Sequence, residues 1–513
     1  MDEKIQIGQP HHPRPQWRSR VGFIFAALGS AIGLGNIWRF SYLCYKNGGG
    51  AFLIPYTLAL ITVGIPLMIL ELGIGHRMRG SAPMTFARIN RKWEWAGWWA
   101  VNCAMFGIMM YYSVVIAWCL SYVFFSFNLS WGQDANAFFF KEFLQISSGP
   151  AEIGDIRAPI LGALSGVWFL SWLIVFFGVQ KGVERANKVF MPLLFALTLV
   201  LVLWSVNLKG AFKGLEVYLK PDFLLLAKPQ IWVDAFSQIF FTLSLAFGIM
   251  ITYASYLPRK ADIVIDAVAI SVGNCLYSFV AGFAVFGTLG YMSYSTGKPV
   301  AEVVRESIGL AFVAYPQAIS LMPGGLANLF GVLFFSILVV AGLSSAISLV
   351  EAFTSAVVDK FHYSRKVVVS VLCIFGFMGS MIFTARSGLY WVDIVDHFIT
   401  HYGLVVVGIL ECVLVAWIFK SQKLREHISH AASEASAWTW PKVLKLWEIS
   451  IKFITPSILI VILINDIIKE VAKPYEGYPW LSIVLIGRDW LLFALIAALV
   501  IAARPWKRDL DAD

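Results

Sequence analysis

Apolar runs of about twenty residues or more, repeated along nearly the whole chain, constrain this sequence more than any other feature. They lie near 21–46, 51–79, 96–127, 159–178, 188–207, 232–258, 264–291, 328–358, 366–384, 388–419, 449–468 and 480–503. A helix rises about 1.5 Å per residue, so roughly 20 apolar residues cross a hydrocarbon layer about 30 Å thick. Backbone in lipid must satisfy its own hydrogen bonds, and runs of this length do so as helices. The expectation is an all-α membrane protein with about twelve transmembrane helices.

The rest of the composition agrees. Of 513 residues, 59% are hydrophobic and 14% charged, and the mean hydropathy is +0.73; a soluble domain carries about 25% charged residues. The partner is a lipid bilayer. A net charge of +9 taken alone suggests nucleic acid, but the basic residues form short patches between apolar runs, which is a topology signal, and no nucleic-acid partner is expected. Segments on the N-terminal side carry Arg14, Arg18 and Arg20, then Arg77, Arg79, Arg88, Arg91 and Lys92. They continue through Lys181, Arg185, Lys188, Lys360, Arg365, Lys366, Lys420, Lys423, Arg425, Arg504, Lys507 and Arg508, and hold about two-thirds of all Lys and Arg. An even span count puts both termini on one side, and this bias makes that side cytoplasmic, in a multi-pass protein of the plasma (cell inner) membrane. No short apolar stretch in residues 1–20 ends in a small-residue cleavage site, so the first span is expected to act as its own insertion signal. The six cysteines sit in or beside apolar runs with no CxxC pair, which suggests free thiols.

Two spans look weak at their centres. The first contains Gly29-Ser30-Ala31-Ile32-Gly33-Leu34-Gly35-Asn36, and the sixth Phe241-Thr242-Leu243-Ser244-Leu245-Ala246-Phe247-Gly248. A glycine costs a helix roughly 1 kcal/mol against alanine, and three fall between positions 29 and 35. Close packing through the Gly29–Gly33 spacing is the alternative to unwinding. The polar Asn36 and charged Arg39 that follow, and a second weak spot five spans later, favour unwinding around a buried site.

The stretches GSAIGLGNIWRF (29–40) and KNGGGAFLIPY (46–56) closely resemble the signature of the neurotransmitter:sodium symporters. QIFFTLSLAFG (238–248), AGLSSAIS (341–348) and YWVDIVDHF (390–398) match that family in the same order, and the resemblance runs from about Arg14 to the chain end. It implies two inverted five-helix repeats with broken helices 1 and 6, over 21–207 and 232–419. Peripheral helices at 449–503, an N-terminal segment (1–20) with an inner-gate arginine and a tail at 504–513 complete the plan.

The resemblance also implies ligands. A first Na⁺ would take the carbonyls of Ala31 and Thr242, the Thr242 hydroxyl, Asn36, Asn274 and the substrate carboxylate. A second would take the carbonyls of Gly29, Ile32 and Ala341 and the hydroxyls of Ser344 and Ser345. Oxygen donors with little net charge suit a hard cation. A substrate carboxylate would meet the amides near Leu34 and Gly35 and the Tyr112 hydroxyl. Its ammonium would meet the carbonyls of Ala31, Phe241 and Thr242 and the Ser244 hydroxyl. Ser30, Leu34, Ile108, Phe247, Ser345 and Leu349 would line the side-chain pocket. Monoamine carriers of the family place an aspartate where this chain has Gly33, so the ligand here is expected to bring its own carboxylate. Tyr56, Gln238, Thr242, Asn274 and Ser278 match the chloride ligands of the chloride-dependent members; where chloride-independent bacterial members carry an acid, this chain has Ser278. Arg39 with Asp396 matches the outer gate, and Arg14 with Asp359, near Tyr256, the inner one. Glu71, Glu351 and Glu411 are expected to be structural, each hydrogen-bonded to a neighbouring helix. Gly182 and Pro192 bracket nine residues of the fifth span where unwinding is expected on the N-terminal side.

The expected function is therefore Na⁺- and Cl⁻-coupled symport of a small or medium neutral amino acid by alternating access. An osmolyte or non-proteinogenic amino acid is the alternative substrate. An intramembrane enzyme is disfavoured, because no HExxH, GxSxG or paired-aspartate motif occurs; a channel would show repeated filter motifs. Oligomeric state is open.

Overall fold

The computed structural model describes residues 14–303, 307–432, 440–507 and 510. Residues 1–13 of the N-terminal segment and 508, 509 and 511–513 of the tail, Arg508 included, lie outside the described residues. The chain is an all-α membrane protein. Among the described residues the only strand-like pairings are two isolated bridges, Gly49–Pro221 and Ile156–Ala385.

Among the described residues ten helical runs are long and apolar enough to cross a membrane, or eleven with the bent pair α1 (Arg20–Ala31) and α2 (Leu34–Lys46) counted as one. The others are α3 (Gly50–Met78), α4 (Arg91–Ser126), α5 (Ala158–Phe176), α6 (Val179–Val206), α9 (Ile263–Thr296), α10 (Gly324–Phe361), α11 (Arg365–Thr384), α12 (Gly388–Ile418), α13 (Val443–Gly477) and α14 (Trp480–Ala502). The sixth apolar stretch divides into α7 (Pro229–Thr242) and α8 (Ile249–Ala254), each too short to cross alone. Burial sorts the runs: 83% of the apolar window of α4 is enclosed, against 22% in α13 and 28% in α14, whose outer faces show Ile, Leu, Val and Phe. Exposed apolar surface on that scale is tolerated only against lipid.

Both weak spots are broken. Between α1 and α2 the axis bends by 71°. Ile32 (ψ 99°) and Gly33 (φ −121°, ψ −166°) are extended, and the freed Gly33 amide donates to Asn36 Oδ1 at 2.8 Å. The second break needs left-handed backbone at Ser244 (φ 52°), Ala246 (φ 65°) and Gly248 (φ 70°). The first two are not glycines, and such residues cost of order 1–3 kcal/mol unless the surroundings hold them. Glu71 of α3, fully buried, does so by accepting from the Ala246 amide at 2.8 Å.

The fifth span begins earlier than its hydropathy suggests. A wide π-turn over Val179–Glu184 carries the helix through Lys181 and Gly182, and Glu184 holds it by accepting from Lys188 Nζ (2.7 Å) and the Arg18 amide (2.8 Å). The segment between Gly182 and Pro192 is helical in this conformation. Glu351 is hydrogen-bonded to its neighbours, as expected, and the partners are Tyr256 Oη at 2.9 Å and Arg365 Nη1 at 3.0 Å. Glu411 departs from expectation: it is fully buried and neither oxygen has a hydrogen-bond partner. All six cysteines are free and buried.

Candidate functional site

The two breaks face each other across a cavity of about 280 Å³. Its floor is formed by Ser30, Ile108, Phe247, Ser345, Ser348 and Leu349, and its middle by Gly33, Leu34, Gly35, Tyr112, Phe241, Thr242 and Ser244. Arg39, Asp393, Asp396, His401 and Tyr475 line its mouth. Every residue expected to hold the substrate therefore borders one space. The Leu34 amide donates to Tyr112 Oη at 3.2 Å, which brings an N–H and a phenol together where a carboxylate was expected. A Cβ at Gly33 would stand 2.8 Å from Tyr112 Oη and 3.2 Å from Ser345 Oγ, so this point of closest approach is left to backbone. Ser244 Oγ donates to the Ser30 carbonyl at 3.1 Å and ties one break to the other.

The expected second cation set converges on a single hydroxyl. Ser345 Oγ lies 3.3 Å from the Gly29 carbonyl, 3.2 Å from Ser30, 3.5 Å from Ile32 and 3.3 Å from Ala341. One hydroxyl proton can satisfy one carbonyl. The Ser30 and Ala341 carbonyls also accept from Ser244 Oγ and Ser344 Oγ, which leaves the Gly29 and Ile32 carbonyls to share one proton, a surplus of buried acceptor that a cation without protons would satisfy. Ser344 Oγ donates to the Ala341 carbonyl at 2.8 Å and stands at the rim of this cluster.

The other expected polar set is also contiguous. Asn36 Nδ2 donates to Asn274 Oδ1 and to Ser278 Oγ, both at 2.8 Å, and Asn274 Nδ2 donates to Thr242 Oγ1 at 3.2 Å. Each amide oxygen keeps a second lone pair for a cation. Nearby, Tyr56 Oη and both side-chain amide atoms of Gln238 are buried with no hydrogen-bond partner. Unpaired buried donors are expensive, on the order of 1–3 kcal/mol each, so donors left this way suit an anion.

The two charge pairs behave differently. Arg14 reaches both oxygens of Asp359 (2.9 and 3.0 Å), Ser255 Oγ (2.9 Å) and Ser355 Oγ (3.0 Å), and lies over the Tyr256 ring at 5.2 Å. Asp359 also accepts from the Ser81 amide at 2.8 Å. At the mouth, Arg39 and Asp396 are not paired. The Arg39 guanidinium sits over the Phe241 ring at 4.6 Å, and Asp396 accepts from Tyr111 Oη. The cavity lining thus reaches Arg39 and Asp396 but does not include Arg14, Asp359 or Tyr256.

Several residues at the site have no counterpart among the sequence expectations, Asp393, His401 and Tyr475 at the mouth among them. Tyr111 holds Asp396 and is adjacent to the expected Tyr112. Ser348 lines the floor one turn after Ser344 and Ser345, a spacing that could have exposed it. Asn187 stands against Gly29, where a Cβ would come within 2.1 Å of its Oδ1, and no local signal marks it.

A family model described as the sodium:neurotransmitter symporter family matches residues 14–137 and 132–507. The chain is similar to an uncharacterized sodium-dependent transporter of Methanocaldococcus jannaschii, 49% identical over 466 residues, covering 91% of this chain and 93% of that protein. It is 32% identical over 523 residues to the sodium- and chloride-dependent GABA transporter 2 of Rattus norvegicus (93% and 84%). Over 550 residues it is 31% identical to the human sodium- and chloride-dependent neutral and basic amino acid transporter B(0+) (93% and 84%).

Proposed function

The chain belongs to the sodium:neurotransmitter symporter family, as a sodium-dependent membrane transporter and not an enzyme, and from that premise we propose that it imports a small or medium neutral amino acid with two Na⁺ and one Cl⁻ by alternating access. The observation that carries the reading is the crowding of four backbone carbonyls around Ser345 Oγ beside a cavity with no charged side chain in its floor. Gly33 supplies no carboxylate for an amine, so a zwitterion that brings its own fits best. One Na⁺ sits among the carbonyls of Gly29, Ile32 and Ala341 with Ser344 and Ser345. The other sits among Ala31, Asn36, Thr242 and Asn274 with the substrate carboxylate.

The charge balance favours an anion. Two cations and one zwitterion leave net positive charge in a dry site. A chloride about 5 Å from one Na⁺ returns roughly 3 kcal/mol at an effective dielectric near 20. Tyr56 and Gln238, with donors unpaired, and Thr242, Asn274 and Ser278 surround the place for it. Residues 21–207 and 232–419 serve as inverted repeats, each with its first helix broken, and 449–503 pack outside them. The Arg14 face is cytoplasmic, as are both termini, and the membrane is the cell's inner one.

The test is uptake of a labelled amino-acid panel into proteoliposomes, with Na⁺ against K⁺ and Cl⁻ against gluconate outside. Uptake should need both ions, and Ser278→Glu should remove the chloride requirement while keeping the Na⁺ one. Equal uptake by the unmodified protein in chloride and gluconate would overturn the chloride site; full uptake in K⁺ would overturn the coupling.

A further inference from the structure

The cavity ends on a hydroxyl pair that neither the cation clusters nor the substrate's backbone groups use. Ser348 Oγ stands 2.8 Å from Ser30 Oγ and 2.7 Å from the Ser345 carbonyl. Ser30 comes from α1, immediately before the break, and Ser348 from α10. Both line the floor beside Ile108, Phe247 and Leu349, and they are 3% and 0% exposed.

A count of protons shows what the pair can offer. Each hydroxyl has one proton and two lone pairs. If Ser348 donates to the Ser345 carbonyl, its oxygen only touches Ser30, and the proton and lone pairs of Ser30 are all free. If Ser348 donates to Ser30 instead, the Ser30 proton is unspent. Either way Ser30 has hydrogen-bonding capacity to spare at the cavity floor. A buried serine commonly bonds back to its own helix one turn earlier. Ser348 does this through the Ser345 carbonyl, whereas the contact of Ser30 crosses to another helix.

We propose that the transported amino acid carries a short neutral side chain ending in a hydroxyl, which docks on Ser30 while Ser348 acts as the positioning residue that holds the Ser30 rotamer. The inference rests on the amino-acid symport reading above. The apolar neighbours set the size and disfavour a charged side chain, since the ionic groups of the cavity, Arg39, Asp393 and Asp396, are at its mouth. A site that hydrogen-bonds a ligand hydroxyl rejects the isostere lacking it, because its polar groups are then left unpaired; an apolar pocket makes no such distinction.

The experiment uses full-length protein in NaCl and measures competition binding and proteoliposome uptake for isosteric pairs, L-threonine against L-valine and L-serine against L-2-aminobutyrate. The hydroxyl member of each pair should bind about tenfold tighter. Ser30→Ala should bring each pair to within about twofold. Ser348→Ala should lower the ratio and Ser348→Thr should restore it, a rescue that a general packing defect would not show. Na⁺-induced thermal stabilisation reports that each variant is folded. Equal affinities within both pairs in the unmodified protein, or a preference that survives Ser30→Ala, overturns the inference alone. Absence of Na⁺-dependent binding across the whole panel overturns the symport reading and this inference with it.

Discussion

The two ends of the cavity use the same chemistry and are in opposite states. Each has an arginine, an aspartate and a tyrosine. At the Arg14 end they form one closed unit: Arg14 spans Asp359, Ser255 and Ser355, and Trp17 pins the segment by donating from its indole to the Tyr253 carbonyl at 2.8 Å. At the Arg39 end each charge rests on a neutral aromatic partner, Phe241 for the arginine and Tyr111 for the aspartate. The difference is one of context. Arg14 and Asp359 are 15% and 13% exposed, so their attraction is poorly screened, and each has further partners, the Ser255 and Ser355 hydroxyls for the arginine and the Ser81 amide for the aspartate. Arg39 and Asp396 open onto the cavity mouth, where an ion pair is worth at most about 1 kcal/mol until closure removes water. A face that must open and a face that is open need not differ in residue type, only in how many partners break together.

The strongest way to break this comparison is to open the closed end. Arg14→Ala leaves Asp359 partly buried with only the Ser81 amide and should cost the closed face about 3 kcal/mol, roughly a hundredfold in population. The readout is a cysteine in place of Leu349 on the cavity floor, a cavity that none of the six native cysteines lines. In the parent it should react with a charged thiol reagent only from the Arg39 side; in Arg14→Ala it should react from both. Labelling confined to the Arg39 side in the variant would show that the Arg14 cluster does not seal the cavity.

A smaller effect is expected at the open end. Arg39→Ala removes a residue that makes no ion pair with Asp396 in this conformation, so Na⁺ affinity should stay within about twofold while turnover falls about tenfold, the cost appearing only on closure. Unchanged turnover would remove Arg39 from the gating cycle.

These tests address what the sequence could not show. The spans were legible because lipid burial needs long apolar runs, and the first break because Gly29, Gly33 and Gly35 weaken a helix before Asn36 and Arg39. The geometry of the second break was not. Ser244 and Ala246 are left-handed because Glu71 and the facing break hold them there, a tertiary cause that local propensity does not carry. The start of the fifth span is hidden for a similar reason: the apolar run begins near residue 188 and Gly182 suggests unwinding, but Glu184 and a π-turn keep Lys181 and Gly182 helical. Both charge pairs came from the family resemblance and not from residue type, and which one is made depends on a balance of a few kcal/mol between whole conformations that no residue encodes by itself.

The smallest expected effect sharpens the comparison most, because its direction is opposite to the others. Tyr111 is buried, and its hydroxyl donates to Asp396. Tyr111→Phe keeps the ring and removes that donor, so the Asp396 carboxylate loses a partner in the open state only. A hydrogen bond to a charged group contributes about 1.5–3 kcal/mol when buried, and nearer 1 kcal/mol where cavity water can replace the donor, as at this mouth. Freed from the phenol, Asp396 should seek Arg39, and the population closed at the Arg39 end should rise about fivefold. Labelling of the Leu349 cysteine from the Arg39 side should slow by that factor. The double variant Tyr111→Phe with Arg39→Ala should lose the slowing, since the carboxylate then has no cation to meet, and the non-additivity measures the coupling directly. If water at the mouth replaces the phenol completely, the single variant labels at the parent rate, and the open end is held by Phe241 beneath Arg39 rather than by Tyr111.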